Sequence, residues 1–238
     1  MPLSTFTSRC TGHRKIAHDM FEFTLEKPQG FTFRAGQFVM FLVPLVDNPV
    51  DIQGRAFSIA SAPNESELLF VAKIKQGGRA GRWISEVLKE GDAVKLQGPL
   101  GIFTIASAGE EKLLFIGTGS GVAPLRSQIV ELLAQGDARP MDLIHGVRCD
   151  EDLFWRDFFE VIERQHSNFH YHCALTRPST VWKGLTGRVH LVAPQVIADI
   201  SGRSLYVCGG PEMVKDVKGN AFTEWGIPKV RLHAEDYV

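Results

Sequence analysis

The first hundred residues carry short apolar segments separated by polar turns. Four of these segments are rich in β-branched or aromatic residues and are bounded by Gly, Pro, Asn or Asp, a pattern typical of strands. The predicted strands are Gln37–Val43, Gly54–Ala60, Leu68–Lys75 and Ala93–Gln97. One helical stretch is predicted at Arg82–Lys89, where Trp83, Val87 and Leu88 share a face. Several short strands with a single helix predict a closed antiparallel β-barrel.

In the second half of the chain, apolar strands alternate with helical segments. The predicted strands are Lys112–Ile116, Met141–His145, Phe169–Leu175, Ser204–Cys208 and Lys229–His233, and the predicted helices are Pro124–Gln135, Asp152–Gln165 and Pro211–Asn220. This alternation predicts a doubly wound α/β unit, whose parallel sheet has right-handed crossovers. We therefore expect a barrel domain in residues 1–105 and an α/β domain in residues 106–238, joined at the small polar stretch 106–111.

Composition narrows the class of protein. The 238 residues are 44% apolar and 22% charged, and the formal net charge of −1 gives no indication of a nucleic-acid surface. The first residues, MPLSTFTSRC, show no export signal, and no apolar run approaches the roughly 20 residues that span a bilayer. We expect a cytoplasmic protein that binds neither nucleic acid nor membrane.

The four cysteines are scattered along the chain, and none forms a C-x-x-C pair. This spacing favours neither a zinc site nor an iron–sulfur loop, and the histidines lack a ligand pattern. We expect no metal. If the protein transfers electrons, it does so with a dissociable organic cofactor.

A glycine-rich motif, GTGSGVAP at residues 117–124, directly follows a predicted strand. Gly117, Gly119 and Gly121 would leave the main chain open to a pyrophosphate, with Thr118 between them as a further candidate for binding it. Pro124 suits the first turn of a helix. Free amides at a helix N-terminus favour phosphate. The alternative is a tight turn that binds no ligand.

A second motif, GRAFSIAS at residues 54–61, lies on a predicted strand of the barrel. Arg55 can neutralise a phosphate, Phe57 offers a flat ring, and Ser58 offers a short hydrogen-bond donor. Because side chains alternate along a strand, Arg55 and Phe57 point to one side and Ser58 to the other, unless the strand ends or twists there. The alternative is a surface arginine beside a core phenylalanine.

Five motifs occur in one order along nearly the whole chain. They are RAFS (55–58), GGRAGRW (77–83), GPLGIF (98–103), GTGSGVAP (117–124) and CGGPEM (208–213). In that order they resemble the ferredoxin–NADP reductase family. The resemblance implies that the barrel holds FAD and that the α/β domain holds a nicotinamide dinucleotide.

The resemblance also implies roles for barrel residues. Arg55 and Ala56 would contact the flavin pyrophosphate, Phe57 would pack against the isoalloxazine or ribityl, and Ser58 would lie near flavin N5. The motif GGRAGRW (77–83) would bind the flavin phosphates at a helix start, through Gly78, Ala80, Gly81, Arg82 and Trp83. This chain departs from the family twice: Phe57 stands where tyrosine is commoner, and Gly81 stands where serine or threonine is common.

Further roles follow for the second domain and the C-terminal tail. Tyr237 matches the aromatic residue that covers the flavin in many members of the family, although a frayed terminus is the alternative. Cys208 would lie beside the nicotinamide, and Gly209, Gly210 and Met213 would contact the dinucleotide. The alternative for Cys208 is simple packing. Ser58, Cys208, Glu235 and Tyr237 are the candidate catalytic residues, for tuning or for proton supply.

The choice of coenzyme depends on arginines, because the 2′-phosphate of NADP is negatively charged. Arg148, Arg177 and Arg188 follow strands of the second domain and favour NADP(H). Asp150 and Glu151 lie beside Arg148 and would favour the ribose hydroxyl of NAD(H), which remains the alternative.

The resemblance implies a monomeric flavoenzyme in which NAD(P)H passes hydride to FAD. Single electrons then go to a separate carrier, ferredoxin or flavodoxin. Three alternatives remain open: an NADH-dependent reductase component of an oxygenase, a free-flavin reductase, and a non-catalytic electron-transfer subunit.

Overall fold

Six antiparallel strands form the first domain in the order β4-β3-β6-β1-β2-β5. The computed structural model describes residues 4–75, 77–106 and 112–237. The strands are β1 Thr5–Ala17, β2 Met20–Glu26, β3 Phe38–Leu45, β4 Asn48–Ser58, β5 Glu67–Lys73 and β6 Ala93–Leu100. The sheet curls until the segment after β4 meets β5, where Ala60 N–H donates to Leu69 O at 2.8 Å. The predicted barrel is confirmed.

Alternation along the strands fills the interior of this barrel. Val39, Phe41 and Val43 on β3 are buried, whereas the residues between them are partly exposed. The ring of Phe41 packs edge-on against Phe70 and Phe23, with centroids 4.9 and 5.7 Å apart. The interior is therefore packed with side chains, and any ligand of this domain must bind on its outside or its rim.

The helix of the barrel domain begins earlier than predicted. It comprises α1, Arg79–Arg82, and a π-helical turn, Trp83–Val87, rather than Arg82–Lys89. The buried Trp83 and Leu88 gave the apolar pattern, and Leu88 N–H closes the turn on Trp83 O. The first turn was missed because its side chains do not face the core.

The second domain is a parallel sheet in the order β10-β9-β8-β7-β11-β12, flanked by helices. The strands are β7 Leu113–Thr118, β8 Met141–Val147, β9 Phe169–Leu175, β10 Leu185–Thr186, β11 Ser204–Gly209 and β12 Leu232–Asp236, and the helices are α2 Val122–Ala134, α3 Arg156–Gln165, α4 Val189–Val196 and α5 Pro211–Thr223. The predicted doubly wound sheet is confirmed. β10 and α4 were not predicted, because β10 has two residues and α4 contains Pro194.

Several predicted boundaries in this domain were wrong. Helix α2 begins at Val122 and not at Pro124, because the glycine-rich turn already winds as a 3₁₀ helix. Helix α3 begins at Arg156 and not at Asp152, because Trp155 has a left-handed backbone (φ 54°). Strand β12 begins at Leu232 and not at Lys229, where a 3₁₀ turn stands instead.

The two domains meet where the first turns of α2 contact the segments that follow β4 and β6. Ser127 Oγ on α2 donates to Ser61 O at 2.6 Å, and Gln128 Nε2 donates to Phe103 O at 2.6 Å. Most of the predicted junction, residues 107–111, lies outside the described residues. Across the described chain, every helix is too short or too polar to cross a membrane.

Candidate functional site

The carboxyl ends of three neighbouring strands line up at one edge of the parallel sheet. The register pairs Gly117 on β7 with Cys208 on β11, and Cys208 with Glu235 on β12. Tyr237 follows β12, and its N–H donates to Gly209 O at 2.8 Å. The strand order therefore brings together the glycine-rich turn, the predicted cysteine and the C-terminal tail.

The barrel supplies the fourth predicted catalytic residue to the same place. Tyr237 Oη donates to Ser58 Oγ at 2.8 Å, and Ser58 Oγ donates to Glu235 Oε1 at 3.5 Å. Ser58 ends β4 and is 8% exposed, whereas Cys208 is completely buried. We call the group Ser58, Cys208, Glu235 and Tyr237 the seam, because it joins the barrel to the sheet edge.

Burial controls the protonation of the seam. Burial raises the pKa of the Cys208 thiol far above its ordinary value, so the thiol stays protonated at neutral pH and is a poor nucleophile. Burial likewise raises the pKa of Tyr237 well above its ordinary value. It also raises the pKa of Glu235, which therefore keeps a proton to higher pH than an exposed glutamate. The seam therefore presents a neutral thiol and a neutral phenol beside a carboxyl group whose pKa is raised.

Three glycines at the sheet edge are required by protein packing. A Cβ on Gly121 would lie 2.3 Å from Cys208 O, and a Cβ on Gly117 would lie 2.9 Å from Leu125 Cδ1. A Cβ on Gly209 would lie 2.4 Å from Thr118 Oγ1 and 2.6 Å from Met213 Cε, on a backbone with φ +154°. Gly121 and Gly209 let the turn after β7 touch the turn after β11, whereas Gly117 makes room for α2.

Two other glycines of the same turns face open space. A Cβ on Gly210 would meet nothing within 4 Å, and a Cβ on Gly119 would meet only Met20 Cε, at 3.9 Å. In the described chain no side chain caps the first turn of α2 or of α5. The N-terminus of α5 and the 3₁₀ turn that leads into α2 thus converge beside open space. Main-chain amides in such a place fit a dinucleotide pyrophosphate.

Arg55 retains a positive charge for a ligand. Its guanidinium donates to Gly54 O and to Gln53 Oε1, both at 2.8 Å, and both acceptors are neutral. The neighbouring Phe57 packs its ring edge-on against the buried Phe41, with centroids 5.0 Å apart, and stays partly exposed. A guanidinium bonded only to neutral acceptors, next to a partly exposed ring and with Ser58 at the strand end, fits a flavin nucleotide. Ala56 between them is exposed.

The motif GGRAGRW (77–83) presents its backbone, rather than its side chains, to a ligand. A Cβ on Gly81 would lie 3.0 Å from Lys75 O, so the fold favours glycine there. Arg82 is ion-paired with Asp47 at 2.6 Å, and Trp83 is packed into the barrel with 6% exposure. Gly78 and Ala80 begin this short helix and are partly buried.

The three predicted coenzyme arginines are all exposed, but their surroundings differ. Arg177 N–H donates to Arg148 O at 2.7 Å, which holds the loops after β8 and β9 side by side. Arg188 Nη1 is already 3.3 Å from Asp216. The carboxylate of Asp150 accepts two hydrogen bonds from Ser179, at 2.7 and 2.9 Å, which lower its pKa.

Sequence reasoning missed the buried side chain of Arg126, one turn into α2. Its guanidinium donates to Ala60 O at 2.7 Å, and its side chain is 7% exposed. The signal in the sequence was an arginine inside an otherwise apolar helix. In the structure every residue of Val122–Ser127 is buried.

Comparison with known proteins agrees with this geometry. Residues 9–105 match the oxidoreductase FAD-binding domain, and residues 115–219 match the oxidoreductase NAD-binding domain. Ferredoxin–NADP reductase B of Sorangium cellulosum is 32% identical, over 98% of this chain and 97% of that protein. The chain belongs to the ferredoxin–NADP reductase family. It is an FAD-dependent oxidoreductase that uses a nicotinamide dinucleotide.

Members of the family that serve oxygenases are also similar to this chain. The phenol hydroxylase P5 protein of Acinetobacter pittii is 34% identical over 80% of this chain, and the phenol 2-monooxygenase reductase component DmpP of Pseudomonas sp. is 35% identical over 80%. The chain spans 53% of the length of each of these two relatives.

Two solved structures have the same fold as this chain. The Amycolatopsis cytochrome P450 reductase GcoB superposes with a TM-score of 0.88 at 28% identity, over 99% of this chain and 70% of that one. A ferredoxin NADP⁺ reductase from Neisseria gonorrhoeae superposes with a TM-score of 0.82 at 20% identity, over 98% of both chains.

Proposed function

We propose that this protein oxidises NADPH through FAD and delivers single electrons to a separate carrier, ferredoxin or flavodoxin. The seam carries the proposal, because it joins the end of the barrel strand that bears Arg55 to the sheet edge where two helix N-termini converge. FAD bound there would accept hydride from the nicotinamide and release electrons one at a time. The full-length match to a protein named ferredoxin–NADP reductase supports this choice.

On this proposal the barrel residues hold and orient the flavin. Arg55 neutralises the pyrophosphate, with the exposed Ala56 beside it, and Phe57 packs against the ring system or its side arm. Ser58 lies near the reactive nitrogen. Tyr237 covers the ring face, and its bond to Ser58 must break to admit the nicotinamide.

The sheet edge holds the dinucleotide. Amides at the starts of α2 and α5 bind the pyrophosphate, and the open positions at Gly119 and Gly210 leave room for it. The protonated thiol of Cys208, which is buried beside Tyr237, would contact the nicotinamide once Tyr237 has moved. Glu235, whose pKa burial raises, accepts the hydrogen bond of Ser58 at 3.5 Å.

Two arginines favour NADPH. Arg148 and Arg177 lie on adjacent loops, and among the described residues no carboxylate pairs with either side chain. Arg188 shares its charge with Asp216 and contributes less. Because the carboxylate of Asp150 is engaged by Ser179, it competes weakly for the ribose hydroxyls that would favour NADH.

Initial rates of ferricyanide reduction with NADPH and NADH test the coenzyme. We expect a preference for NADPH that Arg148→Ala and Arg177→Ala each reduce, with the NADH rate unchanged. Arg164→Ala, on the exposed side of α3, is the control. Equal use of both coenzymes by the wild-type protein would overturn the NADPH assignment. No turnover with either would instead identify a non-catalytic subunit.

A second candidate is the NADH-dependent reductase component of an oxygenase, which the phenol hydroxylase relatives favour. Steady-state rates with ferredoxin, flavodoxin, free FMN and an oxygenase component compare the acceptors. A fast rate with a one-electron carrier supports the proposal, and turnover only with free FMN identifies a flavin reductase.

We further propose that residues 1–105 and 106–238 are the two domains and that the enzyme is a cytoplasmic monomer. All four cysteines are free thiols in the structure, which suits a reducing compartment. Light scattering of the FAD-loaded protein measures the oligomeric state, and a dimer mass would contradict the monomer.

A further inference from the structure

Helix α2 binds the barrel through a buried arginine. Arg126 Nη1 donates to Ala60 O at 2.7 Å, and the guanidinium forms a two-pronged ion pair with Glu65, at 3.0 and 3.1 Å. Glu65 also accepts a hydrogen bond from Ala62 N–H, so its carboxylate is held by its own turn. Arg126 thus binds the segment that directly follows Ser58, from the helix that directly follows the glycine-rich turn.

The face of the same guanidinium is covered by aromatic rings of the second domain. The Arg126 guanidinium carbon lies 4.4 Å from the ring centroid of Phe158 and 5.7 Å from that of Trp155. This is close enough for cation–π attraction. Hydrogen bonds therefore occupy the edge of the Arg126 guanidinium, and aromatic rings cover its face. The ammonium group of a lysine could not make both sets of contacts.

Trp155 continues the contact back to the barrel. Its Nε1 donates to Glu22 Oε2 at 2.6 Å. Glu22 on β2 is 8% exposed, and Arg14 neutralises its other oxygen at 2.6 Å. The series Glu65, Arg126, Trp155 and Glu22 therefore starts and ends on the barrel and passes through the sheet domain. We call these four residues the latch.

The backbone at Trp155 indicates that this position is constrained from outside its own helix. Trp155 has φ 54°, and it is the single non-glycine residue with positive φ in the part of the chain that the structure describes. A bulky side chain adopts this conformation only where its surroundings determine it. The bond to Glu22 and the contact with Arg126 supply that constraint.

We propose that the latch sets the orientation of the sheet domain on the barrel, and that Arg126 is a positioning residue for hydride transfer across the seam. This inference rests on the proposed function, in which the sheet edge holds the hydride donor and the barrel holds the acceptor. Transfer requires the two rings at contact distance, so a small rotation between the domains lowers the rate without removing either ligand.

Arg126→Lys tests the proposal, since it keeps the charge and loses the planar two-pronged contact. Arg139→Lys is the matched control, because Arg139 pairs with Asp137 within one loop of the sheet domain. In stopped-flow reduction of bound FAD by saturating NADPH, we expect Arg126→Lys to be about ten-fold slower. Its FAD content and its dissociation constant for NADP⁺ should stay within about two-fold of the wild-type values.

Hydrogen exchange supplies a readout that does not need turnover. Amides of residues 58–65 should exchange faster in Arg126→Lys than in the wild-type protein and in Arg139→Lys, because the latch holds this segment. Trp155→Phe, which removes the indole N–H and keeps a ring, should slow flavin reduction by a smaller factor.

Unchanged exchange in Arg126→Lys would overturn the latch, and faster exchange with an unchanged reduction rate would overturn its positioning role. If Arg126→Lys does not fold, Glu65→Gln tests the same contact from its more exposed end, with the same expectations. A wild-type protein whose flavin neither coenzyme reduces would refute the proposed function and with it the positioning role, whereas the exchange data would still decide whether the latch holds the segment.

Discussion

Three arginines of the barrel domain differ in the groups that their side chains contact. Arg79 pairs with Asp51 at 2.8 Å, and Arg82 pairs with Asp47 at 2.6 Å. Arg55 instead donates to the neutral acceptors Gly54 O and Gln53 Oε1. A phosphate is attracted most by the guanidinium whose charge is not already compensated. Arg55 is therefore the barrel residue whose charge should decide flavin affinity.

Arg55→Glu should purify without bound FAD, because it places a negative charge where we propose the pyrophosphate. The FAD content of the purified protein, read from its visible absorbance, measures this. Lys95→Glu, an equal change of charge at an exposed position of β6, should keep its flavin. One FAD per chain in Arg55→Glu would contradict the assigned contact.

His145 makes the stability of the protein depend on pH. It is completely buried on β8, with Nδ1 3.3 Å from Tyr171 Oη, and burial lowers its pKa to about 4 from 6.5. Tyr171 and Cys173, which lie beside it, have raised pKa values and stay neutral below pH 7. The unfolded chain therefore takes up this proton first as the pH falls.

The contribution of His145 to stability is fully present above its unfolded pKa and declines as the pH falls towards 4, by about 1.4 kcal/mol per pH unit. His145→Gln removes this titration. Between pH 7 and pH 5, its free energy of unfolding should fall by about 2 kcal/mol less than that of the wild-type protein. Urea denaturation at pH 7, 6 and 5 measures the difference, with His166→Gln as the control. Parallel losses in wild type and His145→Gln would contradict the prediction.

Two strand–turn–helix units, β7–α2 and β11–α5, build the dinucleotide side of the site by touching each other. Their glycines serve two purposes, since Gly121 lies against the backbone of Cys208 whereas Gly210 faces open space. Sequence alone assigned all of these glycines to the ligand. The structure separates glycines needed for contact between the turns from glycines that leave room.

Gly121→Ala and Gly210→Ala should therefore differ. The new methyl at residue 121 would stand 2.3 Å from Cys208 O, so the turn must shift. We expect a loss of about 1–3 kcal/mol of stability, seen as a lower melting temperature. Gly210→Ala meets nothing within 4 Å and has φ −65°, so it should melt like the wild-type protein.

The same Gly210→Ala variant should raise the KM for NADPH, because its methyl enters the space we propose for the dinucleotide. Steady-state kinetics measures this. An unchanged KM would show that the coenzyme does not use that space.

The barrel and the sheet are joined by contacts at several places. Besides the latch and the seam, His18 N–H donates to Glu151 O at 3.0 Å, and Ala106 N–H donates to Tyr206 Oη at 3.0 Å. If the domains separated, the buried Arg126 would lose its ion pair with Glu65, and Glu22 would lose the indole N–H of Trp155 while keeping Arg14. Breaking a buried pair is costly, so separation of the domains should coincide with unfolding.

The wild-type apoprotein should therefore unfold in one calorimetric transition. The double variant Glu22→Gln/Arg126→Met removes both buried charges at the interface and should show two transitions or one that is clearly broadened. Differential scanning calorimetry without added FAD measures this. Two separate transitions in the wild-type protein would contradict the expectation.

Local patterns were sufficient for most elements of the fold. Alternation along β3 and the uniformly buried β7 and β8 have the periods of half-buried and fully buried strands, and both sheets were predicted from them. The predicted ends of the elements were wrong where contacts with residues distant in the sequence determine them. Trp155 stops α3 from starting earlier because Glu22, on another domain, holds its ring, and no local pattern records that contact.

By itself, the sequence determined a barrel followed by a parallel sheet, because periodicity and turn residues are local properties of a chain. Its ordered motifs, through the family that they resemble, also gave the cofactor classes and the residue types at the site. Only the tertiary structure decided which of these residues meet. Ser58 and Tyr237 bond across 179 positions, and Arg126 reaches Glu65 across 61. Such pairs depend on how two independently patterned domains pack, and packing is a property of three-dimensional shape that hydrophobic periodicity does not carry.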